Sequence, residues 1–318
     1  MMLLADFPHL ALRIMAVLFG LVWGSFLNVV IYRLPRGMSV VRPASHCPAC
    51  GKSIPGYRNI PVLSWVFLRG KAGCCGAPIS PRYPLVEAAG GLVSLAIVEA
   101  VILAFPPETE AIHALAVYVA DLALALALIA AAFIDLEHMI VPDVISFGGT
   151  ALGIATFALR DLRLTDSLIG AAVGFALVWL PFDVLYARVR GKAGMGLGDA
   201  KLTMLAGAWF GYPGALFVLG AGAVQGTVAA LAIVISGKKI EEPEAVKRER
   251  EELRAELATM SEKERAEVEK ELALDPLADE PEEGLGKARI AFGPFLILAI
   301  LECLLIGRER IFGWISGI

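Results

Sequence analysis

Residues 114–135 read ALAVYVADLALALALIAAAFID, and this run decides the fold. A helix crosses the hydrocarbon core of a bilayer with about 20 mostly apolar residues. The run has that length, and it ends on a carboxylate, Asp135. Working outward, further apolar stretches lie near 10–32, 84–104, 144–160, 166–186, 201–211, 213–236 and 290–307, separated by short polar breaks. The 201–211 stretch is too short to cross alone and reads as a half-length helix or one arm of a hairpin with 213–236. The expected fold is an all-α polytopic membrane protein with about eight transmembrane helices.

Composition agrees. With 57% hydrophobic and 19% charged residues over 318 positions, water is not the main solvent of this chain. The net charge of −4 is unevenly spread. Arg33 to Arg82 carries eight Lys or Arg residues and no Asp or Glu, which places that loop in the cytoplasm and the short amino-terminal tail outside. The first apolar stretch has its positive flank after it and no small-x-small cleavage site, so it reads as a retained signal-anchor.

Two hydrophilic regions interrupt the membrane segments, giving the divisions 1–32 (first span), 33–83 (cysteine-containing loop), 84–236 (membrane core), 237–289 (charged insertion) and 290–318 (last span and carboxyl end). About 50 residues bury little core, so the 33–83 loop needs a staple to fold. The 238–287 region is dense in Glu, Lys and Arg. Its parts 244–258 and 262–274 have helical composition, Ser261 and Glu264 form a capping-box pattern, and Asp275–Gly286 reads as a linker. It is expected to be a solvated helical hairpin, with docking of a cytoplasmic partner as the sharper alternative. No internal repeat, β-rich segment or nucleic-acid surface is evident; membrane lipids are the expected surroundings.

An acid inside or at the edge of a span is costly and therefore a functional candidate. Asp135 closes the run Ala123–Ile134. Asp199 follows Gly194-Met-Gly-Leu-Gly198, whose glycines allow close backbone approach and leave the acid at a helix start. Both fall on the cytoplasmic side, as a shared site requires. Two carboxylates that meet share a proton, so one can activate water while the other donates to a scissile carbonyl. From the helix ends, with Lys201 two residues after Asp199, Asp199 is expected as base and Asp135 as acid. Asp143 reads as the N-cap of the next span, and Glu137 and His138 as ordinary loop residues. Asn28 and Glu87 are polar residues in costly places, suited to interhelical hydrogen bonds. Glu302 in the last span has no evident partner. A proton-coupled membrane transporter using the acids as a relay is the alternative class, although relay acids more often lie mid-span.

The chain resembles the prepilin peptidases, bacterial type IV leader peptidases of the GxGD intramembrane aspartyl protease class. The resemblance is carried by Gly24-Ser-Phe-Leu-Asn28-Val-Val-Ile-Tyr-Arg33-Leu-Pro35, Cys47-Pro-Ala-Cys50, Pro81-Arg-Tyr-Pro-Leu-Val-Glu87, Ile134-Asp135, Pro142-Asp143, Gly194–Leu202 and Phe292-Gly-Pro-Phe295. It implies that Asp135 and Asp199 are a catalytic dyad in a protein of the bacterial cytoplasmic (inner) membrane. It implies, too, cleavage of the basic leader of type IV prepilins or pseudopilins, in pilus assembly or type II secretion, followed in many members by N-methylation with S-adenosylmethionine.

The family loop usually carries two CxxC pairs, a spacing suited to tetrahedral zinc. Here Cys47 and Cys50 are intact, but Ala72 stands where a third cysteine is expected, and Cys74 and Cys75 are adjacent. Neighbouring residues in extended chain point apart, so a Zn2+ site needs a sharp turn at Gly73 or Gly76. Cys47, Cys50 and Cys75 are the natural ligands; Cys74 is the hardest to place, and His46 could substitute. Cys303 reads as packing.

Overall fold

The computed structural model describes residues 2–47, 49–190, 195–236, 243–272, 290–307, 310–311 and 313. The linker read at Asp275–Gly286 and the first glycine of the 194–198 run lie outside them. The chain forms two compact units, 1–131 with 304–310 and 132–303 with 311–318. Among the described residues regular structure is helical, with only isolated β-bridges.

The first unit holds α1 (His9–Arg33), the five-residue α2 (Leu63–Phe67), α3 (Arg82–Ala100) and most of α4 (Ala111–His138). Lipid offers no hydrophobic drive between helices, so contact relies on small residues and hydrogen bonds. At Gly20 and Gly90 the α1 and α3 backbones come so close that a Cβ on either would strike the other's carbonyl. Ser94 Oγ donates to the Ala16 carbonyl at 2.6 Å, and Asn28 Nδ2 to the Tyr83 carbonyl at 3.1 Å.

The second unit holds α5 (Asp143–Ala155), α6 (Leu164–Val178), α7 (Tyr186–Arg190), α8 (Leu197–Ile235), α9 (Glu244–Thr259), α10 (Glu262–Leu272) and α11 (Gly293–Ile306). A π-helical turn, Trp179–Leu185, joins α6 to α7 around Pro181. Five helical stretches are long and apolar enough to cross a membrane; α5 and α11, at 13 and 14 residues, fall short of the usual length. The sequence's eight apolar segments are all helical, but they are five long helices, two short ones and a break. That break divides α8 at Gly211, where φ is +73° and Pro213 follows. Proline cannot supply the next amide and crowds the carbonyl four residues back. The exposed carbonyls find other donors: Ser167 Oγ reaches Ala208 at 2.6 Å, and Arg160 Nε reaches Trp209 at 3.1 Å. Glu302, isolated in the sequence, accepts from Gln225 Nε2 at 2.8 Å across α8 and α11.

Candidate active site

Because α4 continues to His138, Asp135 lies in its last turn rather than at its terminus, and it is buried at 5% exposure. Asp199 lies in the first turn of α8, behind Gly196 as N-cap. The two carboxylates are close enough for the charge of Asp135 to act on Asp199. A third element completes the site. The Gly293 N–H, at the start of α11, donates to the Asp135 carboxylate, and a Cβ at Gly293 would collide with Asp135 Oδ2 and touch Leu202 of α8. The start of α11 is thus wedged between the two helices that carry the acids. The sequence signal was the Phe292-Gly-Pro-Phe295 motif, but its target was not readable without the fold.

Under the dyad that the resemblance implies, Gly293→Ala lowers leader cleavage about tenfold to a hundredfold, since small misplacements of a catalytic group cost on that order. Purified variant in detergent, assayed on a synthetic precursor, with its melting profile compared to wild type, measures it.

Two expectations change here. Lys201 does not face Asp199: its Nζ pairs with the Asp143 carboxylate and lies 5.4 Å from the Phe147 ring centroid. Two residues along a helix turn a side chain away from its neighbour, which is the reason. Asp143 is itself the first residue of α5, with Pro142 as N-cap, and its carboxylate takes Lys201. With Asp135 accepting a hydrogen bond from the Gly293 amide and Lys201 engaged elsewhere, helix ends no longer separate acid from base.

His138 is likewise no loop residue. It is 4% exposed, one turn after Asp135, and its Nδ1 is 2.7 Å from Glu249 Oε1 of α9. Val246, one turn earlier on α9, is also buried. The charged insertion is therefore not solvated all round: one edge of α9 is seated on the end of α4. Glu249→Ala should release that edge, read as faster limited proteolysis within 244–259 by at least about fivefold, a loss near 1 kcal/mol.

The four cysteines meet in the first unit. All four sulfurs lie within 4.8 Å of one another, with Cys47 to Cys75 at 3.7 Å, Cys50 to Cys74 at 3.4 Å and Cys74 to Cys75 at 3.9 Å. Tetrahedral zinc with bonds of about 2.3 Å sets its sulfurs about 3.8 Å apart, so the set fits that ion. Two knuckles bring them together. Bridges His46 to Ser53 and Lys71 to Pro78 are related by a shift of 25 residues, as are the turn bonds Gly51 N–H to Cys47 O and Gly76 N–H to Ala72 O. This is a small internal repeat that residue identity concealed. Ala72 occupies the place of Cys47 and Cys75 that of Cys50; Cys74 supplies the remaining sulfur. Gly76, at φ +73°, makes the sharp turn that adjacency demands. His46 is turned to the Ala44 carbonyl instead. The Ala49 and Cys50 amides hold the Cys47 thiol down at about 7, while the Cys50 and Cys47 sulfurs push Cys74 up to about 12. Four thiolates together need a cation.

Between α1, α3 and this loop lies a cavity of about 540 Å³, lined in part by Asn28, Glu87, Tyr32, Trp65 and Tyr83. Asn28 and Glu87 do make structural hydrogen bonds, the latter accepting the Val62 N–H on Oε2 at 2.7 Å. Neither exhausts its oxygens in doing so.

Fold and site together define a polytopic helical membrane protein with a carboxylate pair gathered at one end of three helices. The model of the type IV leader peptidase family matches residues 122–231, and that of the bacterial peptidase A24 N-terminal domain matches 18–101. A Dichelobacter nodosus "Prepilin leader peptidase/N-methyltransferase" is 36% identical over 73% of this chain and 87% of its own length. Proteins of the same name from Myxococcus xanthus (39% identical; 68% of this chain, 62% of the relative) and Stutzerimonas stutzeri (38%; 64% and 74%) are similarly related. No solved structure matches the chain significantly. The chain belongs to the type IV leader peptidase family.

Proposed function

We propose that this protein is an intramembrane aspartyl endopeptidase that removes the basic leader from type IV prepilins or pseudopilins, and that it then methylates the new amino terminus. The observation that carries the reading is that Asp135 and Asp199 lie within electrostatic reach of one another, with Gly293 against the Asp135 carboxylate. Two adjoining carboxylates hold one proton between them: the ionised member takes a proton from water as it attacks the scissile carbonyl, and the protonated member donates to the developing alcohol oxygen. Collapse of the tetrahedral species returns a proton to the departing amine. Burial of Asp135 keeps bulk water out, and the Gly293 N–H fixes its carboxylate in orientation. The eight Lys and Arg residues between Arg33 and Arg82 support an orientation with that loop in the cytoplasm and the amino terminus in the periplasm, and the proposed setting is a bacterial inner membrane. The relatives lend no support to a transporter.

S-adenosylmethionine would supply the methyl group when bound, and a cavity of about 540 Å³ is in the range that takes such a ligand. Zinc, held by Cys47, Cys50, Cys74 and Cys75, would be structural, since a closed set of four sulfurs leaves no open position. It would pin the two knuckles of a loop too small to hold itself. Purified protein should carry about one zinc per chain, and Cys74→Ser should lower that several-fold, measured by elemental mass spectrometry.

Mass spectrometry of a prepilin incubated with the protein, with and without S-adenosylmethionine, tests both activities. Cleavage without cofactor and a gain of one methyl with it are expected; an intact precursor would refute the peptidase.

A further inference from the structure

We infer that the cavity of the first unit is a binding site for an alkylammonium group, read by Asn28 and Glu87. The inference starts from an unpartnered atom. Asn28 is 4% exposed and lines the cavity, and its Oδ1 has no hydrogen-bond partner among the described residues. Its amide orientation is forced: Nδ2 faces the Tyr83 carbonyl at 3.1 Å, and reversal would set two oxygens against each other. Leaving such an acceptor buried and unmet costs about 1–3 kcal/mol, so a complement is expected.

Glu87 stands on α3 one turn beyond Tyr83, hence one turn from Asn28, with Gly24 of α1 pressed against its backbone. Its Oε2 accepts the Val62 amide at 2.7 Å, and no described residue donates a hydrogen bond to Oε1. The cations of the lining are committed elsewhere. Arg33 donates to the Ser39 and Pro43 carbonyls at 3.0 and 2.8 Å, and Arg58 to the Gly73 carbonyl at 2.7 Å. What remains open is therefore a neutral acceptor and a carboxylate oxygen, with aromatic rings nearby. A donor-rich cation complements that set; an anion does not. Gly24 and Gly90 let α1 and α3 approach closely, and Asn28 and Glu87 line the same cavity beside that contact.

Two ligands in the proposed reaction carry this group: the methyl donor, through its aminoacyl end, and the new amino terminus of the processed substrate. Choosing them as probes rests on the methyl-transfer reading. The test is calorimetric titration of the full chain in detergent with S-adenosylmethionine, and separately with a peptide bearing a free α-amino group against the same peptide acetylated. Glu87→Gln keeps an oxygen for the Val62 amide while removing the charge, and Asn28→Leu removes the open acceptor; melting profiles accompany both. At least about tenfold weaker binding of one probe in Glu87→Gln is expected, in keeping with a lost charge-assisted hydrogen bond. A loss confined to S-adenosylmethionine assigns the cavity to the donor; a loss confined to the free-amine peptide assigns it to the acceptor. Binding within twofold of wild type for both probes in both variants would overturn the inference, as would a wild type that binds neither. Wild-type methylation of the substrate, seen by mass alongside unchanged binding in the variants, would refute the cavity while leaving the methyl-transfer reading intact.

Discussion

Asparagine at position 199 removes leader cleavage by at least about 10³-fold, and asparagine at 135 does the same, because each acid is useful only while the other shares its proton. The double variant is scarcely worse than either single one, since residues acting as a unit are strongly non-additive. Asn at 135 still offers an oxygen to the Gly293 amide, so the wedge of α11 against α4 survives and folding is not the cause of the loss. Initial rates on a synthetic precursor, with each variant checked by size exclusion, measure the effect. Cleavage within tenfold of wild type in either variant would remove the dyad from the mechanism.

Valine at position 207 unmakes the second unit. Gly207 on α8 meets Gly170 on α6 so closely that a Cβ on either runs into the other's backbone, and one turn away Gly174 stands in the same relation to Thr203. These two helices form the most extensive pair in that unit. A branched side chain there must push them apart, breaking the Ser167 bond to Ala208. The cost is about 3 kcal/mol or more, the upper end for overpacking. Since α8 also carries Asp199, activity falls with stability. Gly220→Val on the same helix is the control: a Cβ at that position meets nothing within 4 Å, so the change stays within about 1 kcal/mol. Unfolding in detergent, followed by circular dichroism, compares the pair.

Both acids were readable because a carboxylate at the edge of an apolar run is costly and therefore rare. The run itself was readable because membrane helices are recognised by composition over about 20 residues, without knowledge of neighbours. The four-sulfur group was harder. CxxC announces itself at Cys47 and Cys50, but adjacent Cys74 and Cys75 break the spacing. Only the second knuckle, with its turn at Gly76, shows how both sulfurs reach the group. His138 was misread for a similar reason. The polar stretch after Asp135 looks like loop, and its burial comes from α9, more than a hundred residues later.

By itself, then, the sequence determined an all-helical membrane chain, its cysteine loop, and the two acids on which its chemistry is proposed to rest. Those features depend on local length, polarity and spacing, which a linear chain expresses directly. Tertiary structure decided the pairings: the Gly293 amide on Asp135, Asp143 rather than Asp199 beside Lys201, and, away from the acids, an Asn28 oxygen left open in a cavity of the first unit. Such pairings join residues far apart in the chain, and no local pattern encodes them. They are set by where glycines let helices touch and where buried polar atoms must find, or still lack, a partner.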